Sequence, residues 1–422
     1  MAKQSDEQYA GRTFKDSNRI YRLPGDQAEL ERLSLQHQLL RGILGALYPC
    51  DSDVAHAVLA PPREPDGQRP QVLDIGSGSG LWAMQMAMEF PHANVVGLDI
   101  NLSKPAHVPT NCVFETGDIT HGLSRYYGQF DFVHCRCMAG AVRDYAVLLR
   151  EIWKCLRPGG ICVMGEGDLR VYNEEKVLAP IRLDNDNDPT HSWLARLLFE
   201  VLQLNSRRSA SSIGWQLERF LSEDGGFEDI QYKRRYAPIG WAGDGSLGDE
   251  APLVGRLMKQ NCYDFVRAWR PLLLMNSFAA EQVDSWIRAI DHELHNPTVL
   301  KQYNVWHYAW AFKKKDEPQR WEDRPWEGDE PQWHTSDNRL PGRSEEPRRP
   351  IEPPPPPKWQ DDRYRQEERQ RREDRERYED RQRQEELRRQ QERQRHEDRQ
   401  AREEAQWRDE RQRRDERQYG RQ

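Results

Sequence analysis

Short apolar runs closed by turn residues recur along the first three quarters of the chain. "QVLDI" (71–75), "NVVGLDI" (94–100), "CVFETGDI" (112–119), "FDFVHCR" (130–136) and "GGICVMGEGD" (159–168) have the length and composition of buried strands. Segments 81–90 and 143–157 between them carry apolar residues at helical spacing. Strands alternating with helices predict an α/β fold with a mainly parallel sheet. Two later strands, "GFEDIQYKRRYAP" (226–238) and "YNVWHYAWAFKK" (303–314), flank a helical insertion at about 249–296.

Upstream, residues 1–23 are polar and read as a flexible N-terminus, and 24–60 as a helical segment. Pro24-Gly25 breaks the chain there, and Asp26 and Glu29 have the spacing of a helix-capping box. Leu30, Leu33, His37, Leu40, Ile43, Leu44 and Leu47 then share one helical face. The turn-rich "PPREPDGQRP" (61–70) leads into the α/β domain, which runs over 61–315. Beyond it, 316–360 is rich in Pro and Trp and reads as a disordered linker ending in the polyproline run 353–357. Residues 361–422 are low-complexity, with Arg following an acid by four at many positions, which supports a solvated single helix or disorder.

Charge narrows the partners. Of 422 residues 32% are charged, and the formal net charge is −7. The tail 361–422 holds 21 Arg against 20 acids, so the negative charge lies on the body. An acidic body argues against direct DNA binding, which needs a basic face. The N-terminus lacks the apolar stretch of a signal peptide, and no run has the length of a membrane span. The seven cysteines form no regular framework. A soluble, non-secreted protein of cytoplasm or nucleus is expected.

The chemistry is concentrated in "VLDIGSGSGLWAM" (72–84). A strand, then Gly76-Ser77-Gly78-Ser79-Gly80, then a helix lets the backbone approach a ligand at a helix N-terminus. A dinucleotide fingerprint would place its third glycine at 81, where Leu81 stands. Asp74 lies two residues before the first glycine, and Asp-x-Gly-x-Gly-x-Gly resembles motif I of class I methyltransferases that use S-adenosylmethionine. Asp99 ends the second strand nineteen residues after Gly80, where an acid can accept both ribose hydroxyls. Asp118-Ile119 follows the third strand.

The likeness extends to the fungal LaeA-like methyltransferases of secondary metabolism. "LPGDQAELERLSLQH" (23–37), "FDFVHCRCMAGAVRDYAVLLREIWKCLRPGG" (130–160), "GFEDI" (226–230) and "WHYAWAFKK" (306–314) resemble that family over roughly residues 20–314. The resemblance implies a Rossmann-like class I methyltransferase fold, a seven-strand mainly parallel sheet with one reversed strand, and S-adenosyl-L-methionine as cofactor. It places Asp74 near the methionine amine and Gly76, Ser77, Gly78 and Gly80 under the cofactor. Asp99 and Ile100 then meet the ribose, and Asp118 and Ile119 the adenine. Cys135, after strand four, joins the cofactor-lining set. Ser77 and Ser79 stand where Thr is expected, and Cys135 and Cys137 where bulkier apolar or other polar residues are usual.

Methyl transfer needs a general base only when the acceptor holds a proton. His134, at the end of strand four, is the candidate; a satisfied core histidine is the other reading of that position. His307, Glu166 and Tyr303 are further candidates near strand ends. No metal site is expected, because His134 points away from Cys135 and Cys137. The insertion, with Trp269, Leu272–Leu274, Met275, Phe278 and Trp286, is expected to close over the site as a lid. The expected activity is tailoring methylation of a medium-sized, largely apolar metabolite. The alternative is a LaeA-like regulator acting through nuclear protein partners, held by the Pro-rich and charged tail. A pseudoenzyme that binds cofactor without turnover is a third possibility.

Overall fold

The computed structural model describes residues 7–315, except 15–19, 65–66, 102–104, 106, 182–190, 207, 211 and 298. The expectations for 316–360 and 361–422, including protein partners held there, lie outside the described residues. The segment expected to be loose begins with a small antiparallel hairpin, β1 (Glu7–Tyr9) and β2 (Arg12–Phe14). Its turn residues Ala10 and Gly11 both have positive φ, as a tight two-residue hairpin turn requires. Helix α1 (Gln27–Leu44) follows, with Asp26 accepting from the Glu29 amide and Gly45 closing the C-terminus in a left-handed conformation. Half of the expected capping box therefore forms. The Glu29 side chain pairs with Arg32 instead of reaching back to the cap.

A short helix α2 (Ser52–Val58) leads to the main body. Its elements are β3 (Gln71–Ile75), α3 (Leu81–Glu89), β4 (Asn94–Asp99), β5 (Cys112–Thr116), β6 (Phe130–Arg136), α4 (Tyr145–Cys155) and β7 (Leu156–Asn173). Then come α5 (Trp193–Asn205), α6 (Leu217–Asp224), β8 (Phe227–Pro238), α7 (Ala251–Met275), α8 (Ala280–His295) and β9 (Gln302–Lys313). The seven long strands form one sheet in the order β5-β4-β3-β6-β7-β9-β8. β9, last in sequence, inserts between β7 and β8 and runs antiparallel to both; the other pairings are parallel. This is the Rossmann-like sheet with one reversed strand that the sequence leads one to expect.

Alternation along the strands sorts the core. Val72, Phe132, Ile161 and Val163 face α2 and α3 with Trp82 and Phe90. Leu73, Ile75, Val133, Cys135 and Met164 face α4 and α6. A third core joins α1, α5, α7 and α8 to the extended ends of β7 and β8. It settles the lid expectation in part. Trp269 lines the central cavity, as does Phe265 one turn earlier. Leu272, Leu273 and Trp286 are instead buried in the third core, with Leu274 and Phe278 packed against it. The third strand is shorter than expected, because Asp118 caps a separate 3-10 turn at Ile119–His121.

Candidate active site

The turn after β3 is built from left-handed glycines: φ is +72° at Gly76, +54° at Gly78 and +78° at Gly80. Gly80 is the N-cap of α3. The Gly76 and Ser77 amides donate to the Leu98 carbonyl at 2.8 and 3.0 Å, tying the turn to β4. Asp99 completes the tie. Its Oδ2 accepts from the Gly78 amide at 2.8 Å and its Oδ1 from the Asn101 amide at 2.7 Å. Burial pushes the Asp99 carboxyl above its ordinary pKa, while these amides work in the opposite direction.

In front of this turn lies a cavity of about 220 Å³. Its wall includes Gly76, Gly78, Asp99, Ile100, Asp118 and Ile119. The same wall includes apolar groups, among them Leu194, Leu198, Met258, Phe265, Trp269 and Trp306. Residues 21–36 close it from the N-terminal side through Tyr21, Leu23, Leu30, Arg32 and Leu33. Asn101 Nδ2 holds that segment by donating to the Gly25 carbonyl at 2.9 Å. Arg12 Nε pairs with Asp26 at 2.6 Å behind it.

Several expected site residues lie behind the cavity wall. Ser77 and Gly80 serve the turn but do not line the cavity. Cys135 is fully buried on the α4 face of β6, because alternation turns it away, and burial pushes its thiol well up. His134 also lies in the core. It is the register partner of Asp74 across β3 and β6, donates from Nδ1 to Asp74 Oδ1 at 2.7 Å, and stacks on Trp82 at 3.8 Å and 8°. Burial holds its pKa below the ordinary value. His134 is thus the satisfied core histidine, and the expectation of a catalytic base there is corrected. Tyr303 packs against Trp241 and Tyr236, and His307 Nδ1 bonds Tyr232 at 2.6 Å; neither lines the cavity. Glu166 does line it.

The residues present fit S-adenosylmethionine. Asp118 Oδ2, on the cavity wall, is buried without a hydrogen-bond partner among the described residues, an acceptor available to a ligand donor; Asp74 Oδ2 is also without one, but Asp74, expected at the cofactor, does not line the cavity. At Gly78 a Cβ would meet Leu33 Cδ1 at a tight 3.2 Å, and the positive φ of +54° would strain any side chain there. Among the described residues, no cluster of His, Cys, Asp and Glu could hold a metal.

One part of the wall went unforeseen. Glu29 and Arg32, 2% and 3% exposed, pair at 2.6 Å, and Arg32 also donates to Asn261 Oδ1 at 3.2 Å. All three line the cavity. Their signal in the sequence is a charged pair at i, i+3 on the same face of α1 as the leucines.

A family described as a methyltransferase domain matches residues 49–223. The chain is 28% identical over 278 residues to the secondary metabolism regulator laeA of Coprinopsis cinerea, covering 65% of this chain and 66% of that one. It is 29% identical over 253 residues to the methyltransferase pytC of Aspergillus terreus, covering 59% and 69%. It therefore spans about two thirds of the length of these curated relatives. A solved structure, phosphoethanolamine N-methyltransferase 2 of Haemonchus contortus with S-adenosyl-L-methionine, aligns at 16% identity and a TM-score of 0.36, over 72% of this chain and 62% of that one. Residues 49–223 thus carry an S-adenosylmethionine-dependent methyltransferase domain, and the chain is similar to LaeA-named regulators and to the methyltransferase pytC.

Proposed function

We propose that the protein methylates a medium-sized, largely apolar small molecule as a tailoring step of fungal secondary metabolism. One observation carries the reading: a single cavity is lined both by Gly76, Gly78, Asp99 and Asp118 and by the apolar Leu194, Leu198, Phe265 and Trp269. An apolar acceptor gains binding energy from such a wall.

Bound S-adenosylmethionine supplies a methyl group already activated on a sulfonium. The chain supplies position. Gly76 and Gly78 would let the backbone come close, Asp99 would take the ribose hydroxyls, and Asp118 and Ile119 would meet the adenine. Asp74 and Cys135 stand behind this surface and shape it. Tyr21, Leu23 and Leu30 cover the site from water, and alignment of acceptor and donor in such an enclosure supplies much of the acceleration.

The regulator reading is favoured by the names of several relatives, among them the secondary metabolism regulators of Coprinopsis cinerea and Pyricularia oryzae. Methyl-labelled S-adenosylmethionine added to a fungal extract separates the two readings. Label in the small-molecule fraction, lost with Asp99→Ala, is the expected result. Label confined to protein would favour the regulator and its protein partners.

A further inference from the structure

β7 presents two carboxylates to the cavity, Glu166 and Asp168, on one face of the strand. They are 2% and 3% exposed, and their surroundings differ sharply. Asp168 is saturated. Arg170 donates to it from Nε and Nη2 at 2.7–3.1 Å and from its own amide, Tyr172 from its hydroxyl at 2.8 Å and Ser212 at 3.1 Å. His307 Nε2 stands 3.8 Å away. Such a carboxylate stays charged and has little capacity left for a ligand.

Glu166 takes three donors, all on one oxygen. The amides of Met138 and Ala139 reach Oε1 at 2.9 and 3.2 Å, and the Tyr145 hydroxyl at 3.1 Å. No hydrogen bond among the described residues reaches Oε2. The same Met138 covers the glycine turn: a Cβ on Gly76 would lie 2.3 Å from its sulfur. Glu166 therefore stands one side chain away from the turn that approaches the cofactor, on the cavity wall, with one oxygen fixed and one free.

We propose that Glu166 Oε2 is the general base that takes the proton of the acceptor's hydroxyl or amino group during methyl transfer. The inference rests on the methyltransferase reading above and narrows it to acceptors that carry an O–H or N–H. The acceptor lone pair forms the bond to the methyl carbon, and the carbon–sulfur bond breaks with its electron pair returning to sulfur. The acceptor proton passes to Oε2 and then to water, leaving S-adenosylhomocysteine and the methylated product. Two neighbouring carboxyl groups held in opposite environments are the arrangement that separates a proton acceptor from a permanent anion. Burial pushes the Glu166 carboxyl up to about 7, while the donors around Asp168 pull that group well below the ordinary range against its own burial. The groups that face Glu166 are Tyr145 on α4, Cys135 on β6, Cys137 after it, His307 across β9, and Asp168 with Arg170 on β7.

The test compares the full chain with Glu166→Gln, whose amide oxygen can still accept from Met138, Ala139 and Tyr145. Three readouts are used: labelled methyl transfer into fungal extract against pH, calorimetric binding of S-adenosylhomocysteine, and infrared titration of the buried carboxyl in the protein alone. Wild type is expected to show a transfer rate that rises through pH about 7 and a carboxyl band that titrates with it. Glu166→Gln is expected to lose the band and the rising limb, to transfer on the order of 10²–10⁴ times more slowly, and to bind S-adenosylhomocysteine as wild type does. A variant with the wild-type rate and pH profile would overturn the proposal. So would one whose S-adenosylhomocysteine affinity collapses, because Glu166 would then only position the 137–141 loop. If label enters protein alone, the tailoring reading falls. The pH limb of that protein labelling, and its loss in Glu166→Gln, then decides the base assignment independently.

Discussion

At the scale of single residues, Glu166 also predicts how stability follows pH. Its carboxyl titrates near 4.5 in an unfolded chain and near 7 when folded. Between those values the folded protein holds a proton that the unfolded chain has lost. The stabilisation is complete below pH 4.5 and is lost as pH rises through 7. The shift corresponds to about 3 kcal/mol. His37 does the reverse. Burial first, and Arg136 second, press it from 6.5 to about 4, so its contribution grows as pH rises from 4 to 6.5. The two trends oppose each other in the wild-type curve. The difference between wild type and Glu166→Gln, read from urea midpoints at pH 4, 5.5 and 7.5, isolates Glu166 and should fall steadily across that range. A flat difference would contradict the raised titration. The glycine turn and the acids Asp99 and Asp118 were legible in the sequence, because close backbone approach and strand-end acids leave a fixed spacing. The pairing of Asp74 with His134 was not, because it depends on β3 and β6 being neighbours in the sheet, and strand order leaves no local trace.

At the scale of elements, α1 and α7 are joined across the cavity mouth by Arg32, Glu29 and Asn261, with Arg32 5.1 Å from the Phe265 ring centroid. A buried ion pair of this kind adds little against a well-packed apolar pair, yet breaking it strands a charge. Arg32→Met alone should therefore cost about 3–5 kcal/mol in urea unfolding, and Arg32→Met with Glu29→Leu should recover most of that. Equal losses in the single and double variants would mean that packing of the Arg32 stem carries the contact. Unbroken apolar runs marked the central strands, which are buried on both faces, whereas the edge strand β8 is largely polar and only partly buried. The runs did not place β9 between β7 and β8; the family resemblance implied one reversed strand but not its position in the sheet. The β1–β2 hairpin escaped notice because each strand is three residues long and mostly polar. The lid was half legible. Helical periodicity marked α7 and α8, but separating Trp269 at the cavity from Leu272, Leu273 and Trp286 in the core requires knowing that α5 packs there.

At the scale of the molecule, the α/β body ends with β9, well before the Arg-rich segment 361–422. The seven-strand sheet ends there, and its last residues are tied back into the body. Lys313 Nζ donates to the carbonyls of Trp153 and Leu156, both at 2.8 Å, and Lys314 Nζ to that of Gly225 at 2.6 Å. These bonds satisfy carbonyls at the C-terminal ends of α4 and α6 without any residue past 315. A chain ending at Lys315 should accordingly unfold at the same urea midpoint as the full chain and bind S-adenosylhomocysteine within about twofold of it, since a twofold change is only ~0.4 kcal/mol. A lowered midpoint would mean that residues 316–422 stabilise the body. The same pair of proteins bears on function. If the shortened chain still labels small molecules in extract, the cavity alone suffices and the tail serves another purpose. If only the full chain transfers label, and only to protein, then the tail recruits the acceptor, and the regulator reading displaces the tailoring one.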